Sequence, residues 1–285
     1  MRRRISFSRA FTHSERLYAS GATVRTMTDD GPRPVKTTKT SLAIARAVRD
    51  SGGATLSDLA DRLDLAKSTV HNHLHTLVDE GFLVRDGDTY HVGLQFLPFS
   101  EHARNRNPLY STARQRVYSL AEETGNEADF IVEENGRAYT LEYAIGESTA
   151  RGLSESSPFR AGNRFHMHNC ASGKAMLALL SDERVREILD RWGLPATTAH
   201  TITDEATLFD ELETIRRQGY ATNDEELIDG YRSIGAAVTG PDDAVVGAFS
   251  VGGPAYRLAI DDSSTREIAQ LLLDEIDALE SELPA

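Results

Sequence analysis

Short polar side chains recur along the segment Lys67 to Asp79, KSTVHNHLHTLVD. Its apolar side chains recur at helical spacing and predict a helix with one buried face. The short polar groups that remain are suited to hydrogen bonds with base edges and phosphate oxygens. We therefore predict DNA contacts from this helix and from the hairpin after it. The predicted contact residues are Lys67, Ser68, Thr69, Asn72, His73, Thr76 and Arg85.

The flanking residues predict the elements that would position this helix. One helix is predicted over Lys39 to Asp50, and another after Thr55 and Asp58, which have the spacing of a capping box. Asp64 tolerates the left-handed turn that would join the last two helices. Asp86-Gly87 predicts a hairpin turn between two short strands. The pattern indicates a winged helix-turn-helix whose second helix enters the major groove. The alternative, an unspecialised three-helix domain, is disfavoured by the short turn and the wing.

Length and composition limit the class of protein. The chain has 285 residues, enough for two domains, and 40% of them are hydrophobic. No apolar run approaches the roughly 20 residues that span a membrane. The first residues include several arginines but no apolar segment typical of a secretory signal. Cys170 is the single cysteine, which excludes an intrachain disulfide and fits a reducing compartment. We expect a cytoplasmic protein that does not bind membranes.

Charge is distributed unevenly along the chain. The net charge is −13, yet residues 1–106 have a balance of +4 and residues 107–285 a balance of −17. This asymmetry leaves the predicted DNA-binding half basic. Only four lysines are present among many acidic residues, which favours a halophilic source over an acidic mesophilic protein. At molar salt the Debye length is only about 3 Å, so that exposed carboxylates are screened from one another.

The remaining pattern divides the chain into four regions. Residues 1–37 predict a disordered basic arm or a start codon assigned too early, with Met27 as an alternative start. Residues 38–97 form the predicted DNA-binding domain. Residues 98–124 form a linker and a linker helix. Pro98 interrupts the connecting segment from Leu94 to Asn107, and Pro108 opens the helix. Residues 125–285 alternate strands and helices and predict an antiparallel sheet with helices beside it. The predicted fold class is therefore α+β.

Three motifs raise the possibility of an enzyme or a metal site. Ser250 lies in a sequence close to a nucleophile elbow, but that order needs a later histidine, and the last one is His200. The alternating His166, His168 and Cys170 lack a clear fourth metal ligand. The acidic run Asp224 to Glu226 is better explained as capping or solvating a turn. We therefore expect no catalytic activity, no metal and no cofactor.

Three longer segments resemble the IclR family of transcriptional regulators, in a halophilic archaeal form. They are LSDLADRLDLAKSTVHNHLHTLVDEGFLVRDGDTYHVGLQFL, HMHNCASGKAMLALL and ITDEATLFDELETIRRQGYATNDEELIDGYRSIGAAVTGPDDAVVGAFSVGGPAYRL. The match extends from about Thr38 to the C-terminus. The resemblance implies a winged helix-turn-helix, a linker helix, a GAF-like effector domain, and a dimer or dimer of dimers.

The resemblance also implies a set of effector-binding residues. They are Ala171, Ser172, Asn223, Ser233 and Ser250. Hydroxyl groups and the backbone N–H groups at a helix start can receive a carboxylate without a full countercharge. Three positions depart from the family pattern, since Asn223 replaces a common Asp, Gly252 a common Ser, and Asn72 a frequent Arg.

The predicted function is a DNA-binding regulator whose operator binding is controlled by a small organic acid. The expected partners are a double-stranded DNA operator, the small-molecule effector and further copies of the chain, as a dimer or tetramer. The alternative is a regulator whose second domain only dimerises and binds no ligand.

Overall fold

The computed structural model describes residues 33–147, 159–240, 243–260 and 263–282. Most of the basic arm predicted over residues 1–37 lies outside these ranges, but Lys36 and Thr37 already belong to the first helix. The chain forms two compact units that divide between Arg106 and Asn107, later than the predicted domain end at residue 97. Within the described ranges, no helix combines the length and apolar content needed to cross a membrane.

Three helices precede the wing in the N-terminal unit. They are α1 Lys36–Asp50, α2 Leu56–Leu63 and α3 Lys67–Asp79. The predicted capping box opens α2, because Thr55 and Asp58 each accept a hydrogen bond from the other's backbone N–H. Asp64 then adopts the left-handed conformation with φ 50°. Leu59, Val70 and Leu74 are buried where the helices meet.

A small antiparallel sheet completes this unit. Its strands are β1 Ala54–Thr55, β2 Leu83–Asp86 and β3 Thr89–Val92, in the order β1-β3-β2. Gly87, in the turn between β2 and β3, has a φ of 59°. Leu83 and Tyr90 are buried in the core formed with the helices. The predicted wing is therefore present, and the unit is a winged helix-turn-helix.

The segment after the wing differs from the prediction. α4 spans Phe96–Asn105, and Pro98 is its third residue. Proline is tolerated in the first helical turn, because the N–H that it lacks has no intrahelical acceptor there. Phe82 packs on this helix, with 5.0 Å between its ring centroid and that of Phe96. The expectation that Pro98 interrupts regular structure was therefore wrong.

The C-terminal unit is built on a six-stranded antiparallel sheet. The strands are β4 Glu127–Glu134, β5 Arg137–Ile145, β6 Arg164–His166, β7 Ala221–Asp224, β8 Tyr231–Thr239 and β9 Val245–Pro254. Their order in the sheet is β6-β5-β4-β9-β8-β7. The predicted antiparallel sheet is confirmed.

Helices cover both faces of this sheet. One core forms with α5 Leu109–Thr124 and α9 Ser263–Ser281, and the other with α6 Ala171–Leu179, α7 Asp182–Trp192 and α8 Glu205–Gln218. Side chains alternate along β4, so that Ala128 and Phe130 join the first core and Ile131 the second. Glu127 and Asp129 therefore lie on the same side as Ile131. We call this side of the sheet the α6 face.

Candidate functional site

The exposed side of α3 is the candidate DNA-reading surface. Ser68, Asn72 and Thr76 are exposed and recur every four residues, so they form one row along the helix. Lys67, His71 and His75 are also exposed and form a second row beside it. The sequence interpretation missed His71 and His75, although their spacing from Lys67 was a sufficient signal. The two rows present a cation and several hydrogen-bonding groups to one side.

Other predicted DNA-contacting residues make contacts within the N-terminal unit. His73 is half-buried, and its Nδ1 lies 2.8 Å from Ser41 Oγ on α1. Thr69 is also half-buried. Arg85 stays within the wing, where its Nε donates to the Gly87 carbonyl at 2.8 Å and its guanidinium lies over the Tyr90 ring. A role for His73 in base contact would require its bond to α1 to open.

The start of α6 lies directly against the sheet. Cys170 precedes the helix in an extended conformation, and no side chain caps its first backbone N–H groups. A Cβ on Gly235 of β8 would lie 2.7 Å from the Ser172 nitrogen, so only glycine permits this approach. Ser172 is 1% exposed, and its hydroxyl has no hydrogen-bond partner within the described part of the chain. The helix start is thus uncapped and contains an unsatisfied hydroxyl.

The strand register gathers the other predicted pocket residues below this helix start. Asn223, Ser233, Gly252 and Glu127 lie side by side across β7, β8, β9 and β4. The next row on the same face contains Gly235, Ser250 and Asp129. All five predicted effector-binding residues, Ala171, Ser172, Asn223, Ser233 and Ser250, are buried. The structure therefore brings the predicted set together on the α6 face.

Hydrogen bonds already engage part of this set. Asn223 donates to Ser233 Oγ at 3.4 Å, and its Oδ1 accepts from the backbone N–H groups of Glu226 and Leu227. The amide at this position therefore supports the turn after β7. Ser250 Oγ donates to Asp129 Oδ1 at 2.7 Å. Ser172 is the member of the set whose hydroxyl is left unsatisfied.

Two buried acids complete the α6 face, and the sequence interpretation did not identify them. Glu127 is 2% exposed and Asp129 is 4% exposed. Burial raises the pKa of Asp129 to about 7, although the hydrogen bond from Ser250 opposes this shift. The Ser172 hydroxyl opposes it too, without reaching hydrogen-bond geometry. Burial also raises the pKa of Glu127 to about 7, against hydrogen bonds from Tyr143 and Tyr231. In the sequence, these acids alternate with the apolar Ala128 and Phe130, a pattern that could have predicted a strand with both acids on one face.

A separate buried ion pair holds the turn beside this face. Lys174 on α6 is 1% exposed, and its Nζ lies 2.6 Å from Glu226 Oε1 and 3.1 Å from Glu211 Oε1. Asp224 and Glu225 instead pair with Arg232. The acidic run Asp224 to Glu226 is therefore divided between two cations and forms no carboxylate pair.

The candidate metal ligands are engaged in protein contacts. Arg137 Nη1 donates to His166 Nε2 at 3.1 Å, and His168 Nε2 lies 3.3 Å from the Pro195 carbonyl. Burial lowers the pKa of His166 to about 3 and that of His168 to about 4. Burial raises the pKa of the Cys170 thiol to about 12. In the described ranges, no three His, Cys, Asp or Glu side chains are grouped so that they could hold a metal ion.

Comparison with known protein families matches both units. Residues 102–279 match the family described as bacterial transcriptional regulator IclR C-terminal, and residues 41–87 match the IclR helix-turn-helix domain. The chain belongs to the IclR family of transcriptional regulators. Its N-terminal unit is the family's DNA-binding domain, and the families it matches are regulators rather than enzymes.

Individual IclR proteins are similar over most of their length. A probable HTH-type transcriptional regulator ArcR of Halobacterium salinarum is 35% identical over 228 residues, covering 80% of this chain and 86% of that protein. The crystal structure of Thermotoga maritima IclR has a TM-score of 0.70 at 22% identity, covering 87% of this chain and 98% of that one. An IclR homologue from Microbacterium hydrocarbonoxydans, crystallised in complex with 4-hydroxybenzoate, has a TM-score of 0.69 at 20% identity, covering 85% and 98%. The relationship to ArcR fits the halophilic character expected from composition.

The structure explains one departure from the IclR pattern. A Cβ at Gly252 would overlap the Tyr231 hydroxyl, which occupies the space that a serine side chain would need. That hydroxyl donates to Glu127 Oε2 at 3.3 Å, and the Tyr231 ring stacks on Phe159 at 4.4 Å between centroids. A tyrosine from β8 thus supplies a hydroxyl near the position where a serine is expected.

Proposed function

We propose that a small-molecule effector, bound on the α6 face of the C-terminal unit, controls operator binding by this IclR-family regulator. The observation that supports this proposal best is the Ser172 hydroxyl, which is buried at the uncapped start of α6 without a partner in the described residues. A buried polar group without a hydrogen bond costs about 1–3 kcal/mol. A ligand that reaches this hydroxyl would remove that cost.

The alternative is a C-terminal unit that only dimerises. Such a unit has no need for hydroxyl and amide groups arranged in adjacent rows below a helix start. Apolar residues at those positions would give a more stable core, since they need no hydrogen-bond partners. The rows formed by Asn223, Ser233 and Ser250 therefore favour ligand binding over dimerisation alone.

We propose a small organic acid as the effector. The uncapped backbone N–H groups of Ala171 and Ser172 and the positive end of the α6 dipole favour a carboxylate. The homologue crystallised with 4-hydroxybenzoate supports this assignment, because a protein of the same fold takes a ligand with a carboxylate.

The DNA partner in this proposal is a double-stranded operator contacted by α3. Its exposed polar side chains, among them Ser68 and Asn72, would meet base edges and phosphates. We propose a cytoplasmic dimer or tetramer, for which the matching operator is pseudo-palindromic. Light scattering in high salt tests the assembly, and a monomer at micromolar concentration would contradict it.

The experiment for effector control is a Ser233→Leu variant in a reporter strain. Leucine adds bulk at this buried position beside Asn223 and Gly252, so the variant should bind its operator but lose the response to inducing metabolites. Ser119→Leu, at an exposed position on α5, is the matched control and should respond like the wild type. A Ser233→Leu variant that responds normally would place the effector elsewhere.

A further inference from the structure

The two acids of the α6 face have no cation to balance them among the described residues. Glu127 accepts hydrogen bonds from Tyr143 and Tyr231, and Asp129 accepts one from Ser250, but neither carboxyl forms an ion pair. The basic groups nearby are already committed. Lys174 pairs with Glu211 and Glu226, and Arg232 pairs with Asp224 and Glu225.

This arrangement is unfavourable for an effector that has only a negative charge. A simple carboxylate at the start of α6 would lie close to Asp129, because the Ser172 nitrogen lies against Gly235, which shares a row with Ser250 and Asp129. Above about pH 7, where the two acids ionise, like charges in this poorly solvated site repel strongly. The repulsion disappears when the ligand itself supplies a positive group to the two acids.

Aromatic rings lie beside the acids. Tyr231 donates to Glu127 and stacks on Phe159, while Tyr143 approaches Glu127 from β5. Carboxylates beside phenol oxygens suit a cationic nitrogen, which can donate hydrogen bonds to both. The unsatisfied Ser172 hydroxyl gives an independent reason to expect a ligand here, since nothing in the described chain satisfies it.

We infer that the effector carries a protonated nitrogen that pairs with Glu127 and Asp129, while its carboxylate lies at the start of α6. The ligand class is therefore an amino acid or a guanidino acid rather than a simple carboxylic acid. This inference rests on the proposed effector control and specifies the chemistry of the same site.

The first test compares ligands that share one carbon skeleton. Pentanoate, 5-aminopentanoate and pentylamine differ only in which charges they carry, and longer, shorter and guanidino analogues extend the series. Stabilisation of the full chain is measured as the increase in Tm at one fixed high KCl concentration, since bound ligand stabilises by mass action. We expect compounds with both a carboxylate and a cationic nitrogen to stabilise the protein, and pentanoate to have little effect.

The second test removes the acids without changing their shape. Asp129→Asn and Glu127→Gln should each weaken binding of the best cationic compound by at least about tenfold, the usual minimum effect of losing a charge-assisted bond. Both variants should bind pentanoate more tightly than the wild type. Asp210→Asn, at an exposed position on α8, is the matched control and should change neither affinity.

The pH dependence supplies a readout that a structural role for the acids would not produce. Among the described residues, the titratable groups facing this site are Tyr143 from β5, Tyr231 from β8, Cys170 before α6, and Glu127 and Asp129 themselves. A cation must displace protons from the two acids, so below pH 7 its affinity should rise by up to about tenfold per pH unit for each proton released, and then level off. An anionic ligand should show the opposite sign.

The outcomes separate this inference from effector control in general. Stabilisation by carboxylates without a cationic nitrogen, unchanged in Asp129→Asn and Glu127→Gln, would overturn the inference and leave effector control intact. Cationic compounds that bind the two variants as well as the wild type would also overturn it. If no compound of any class raises Tm, and Ser233→Leu regulates normally, the proposed function itself fails.

Discussion

Replacing Asp129 by Asn should stabilise the C-terminal unit at high pH and leave it unchanged at low pH. The folded protein raises the pKa of Asp129 from 3.8 to about 7, mainly through burial. The folded state therefore holds this proton more tightly than the unfolded chain does. The free energy of unfolding consequently falls as pH rises through this interval, and the loss is complete above the folded pKa.

The size of the effect follows from the shift. Each pKa unit corresponds to about 1.4 kcal/mol, so ionising Asp129 costs the folded state up to about 4 kcal/mol near pH 8. Asparagine keeps an oxygen that can accept from Ser250 Oγ. The variant should therefore gain several kcal/mol near pH 8, or roughly 10 °C in Tm for a unit of this size.

Urea unfolding at fixed KCl measures this directly. The protein has a single tryptophan, Trp192 on α7, whose fluorescence reports on the C-terminal unit. The difference in unfolding free energy between Asp129→Asn and the wild type should grow from near zero at about pH 4 to its maximum above about pH 7. Asp210→Asn should show no such growth, since its side chain is exposed. If the difference in unfolding free energy is constant across this pH range, burial does not raise the pKa of Asp129 and the reasoning is refuted.

Three further predictions concern the DNA surface, the buried ion pair and salt. Asn72→Ala should weaken operator binding roughly ten- to hundredfold in a gel-shift assay, which is the usual range for an amide that contacts a base. Asn105→Ala on α4 is the control and should bind normally. Equal affinities of the two variants would contradict the role of α3. Lys174→Met leaves Glu226 buried without its cation and should lower the free energy of unfolding, measured by chemical denaturation, by about 3–5 kcal/mol. Arg184→Gln, which breaks an ion pair on the surface, should lower it by less than about 1 kcal/mol. Similar losses in the two variants would argue against the buried pair. The Tm of the wild type should rise steeply as KCl approaches molar concentrations, because salt screens the repulsion among acidic side chains of residues 107–285, whose charge balance is −17. An unchanged Tm would reject halophily.

Local signals in the sequence predicted the N-terminal unit well. The capping box of Thr55 and Asp58, the left-handed Asp64 and the hairpin around Gly87 each depend on a few neighbouring residues. The limits of α3 match the prediction because an apolar stripe and a following glycine define them. α4 was missed because a proline near a helix start resembles a proline that ends a helix.

The pocket was predicted only in part, because its composition depends on strand pairing. Glu127 and Asp129 join Ser233 and Ser250 through the contacts of β4 with β9 and of β9 with β8, and β4 is more than a hundred residues from β9 in the chain. Glu127 is the first residue of β4, where the sequence pattern defines the strand least. Tyr231 was missed for a similar reason, since its contact with Glu127 depends on the pairing of β8 with β9 and of β9 with β4.

Buried and exposed carboxylates should respond differently to salt. This difference separates the repulsion among exposed acids from the cost of ionising the buried Asp129. Screening acts on exposed charges over distances of about the Debye length and has little access to Glu127 and Asp129. Raising KCl should therefore stabilise the wild type and Asp129→Asn equally, while the gain from the substitution stays dependent on pH. If the gain from Asp129→Asn instead vanished at molar KCl, the carboxyl would have to be solvated, and the argument for a cationic group in the effector would lose its basis.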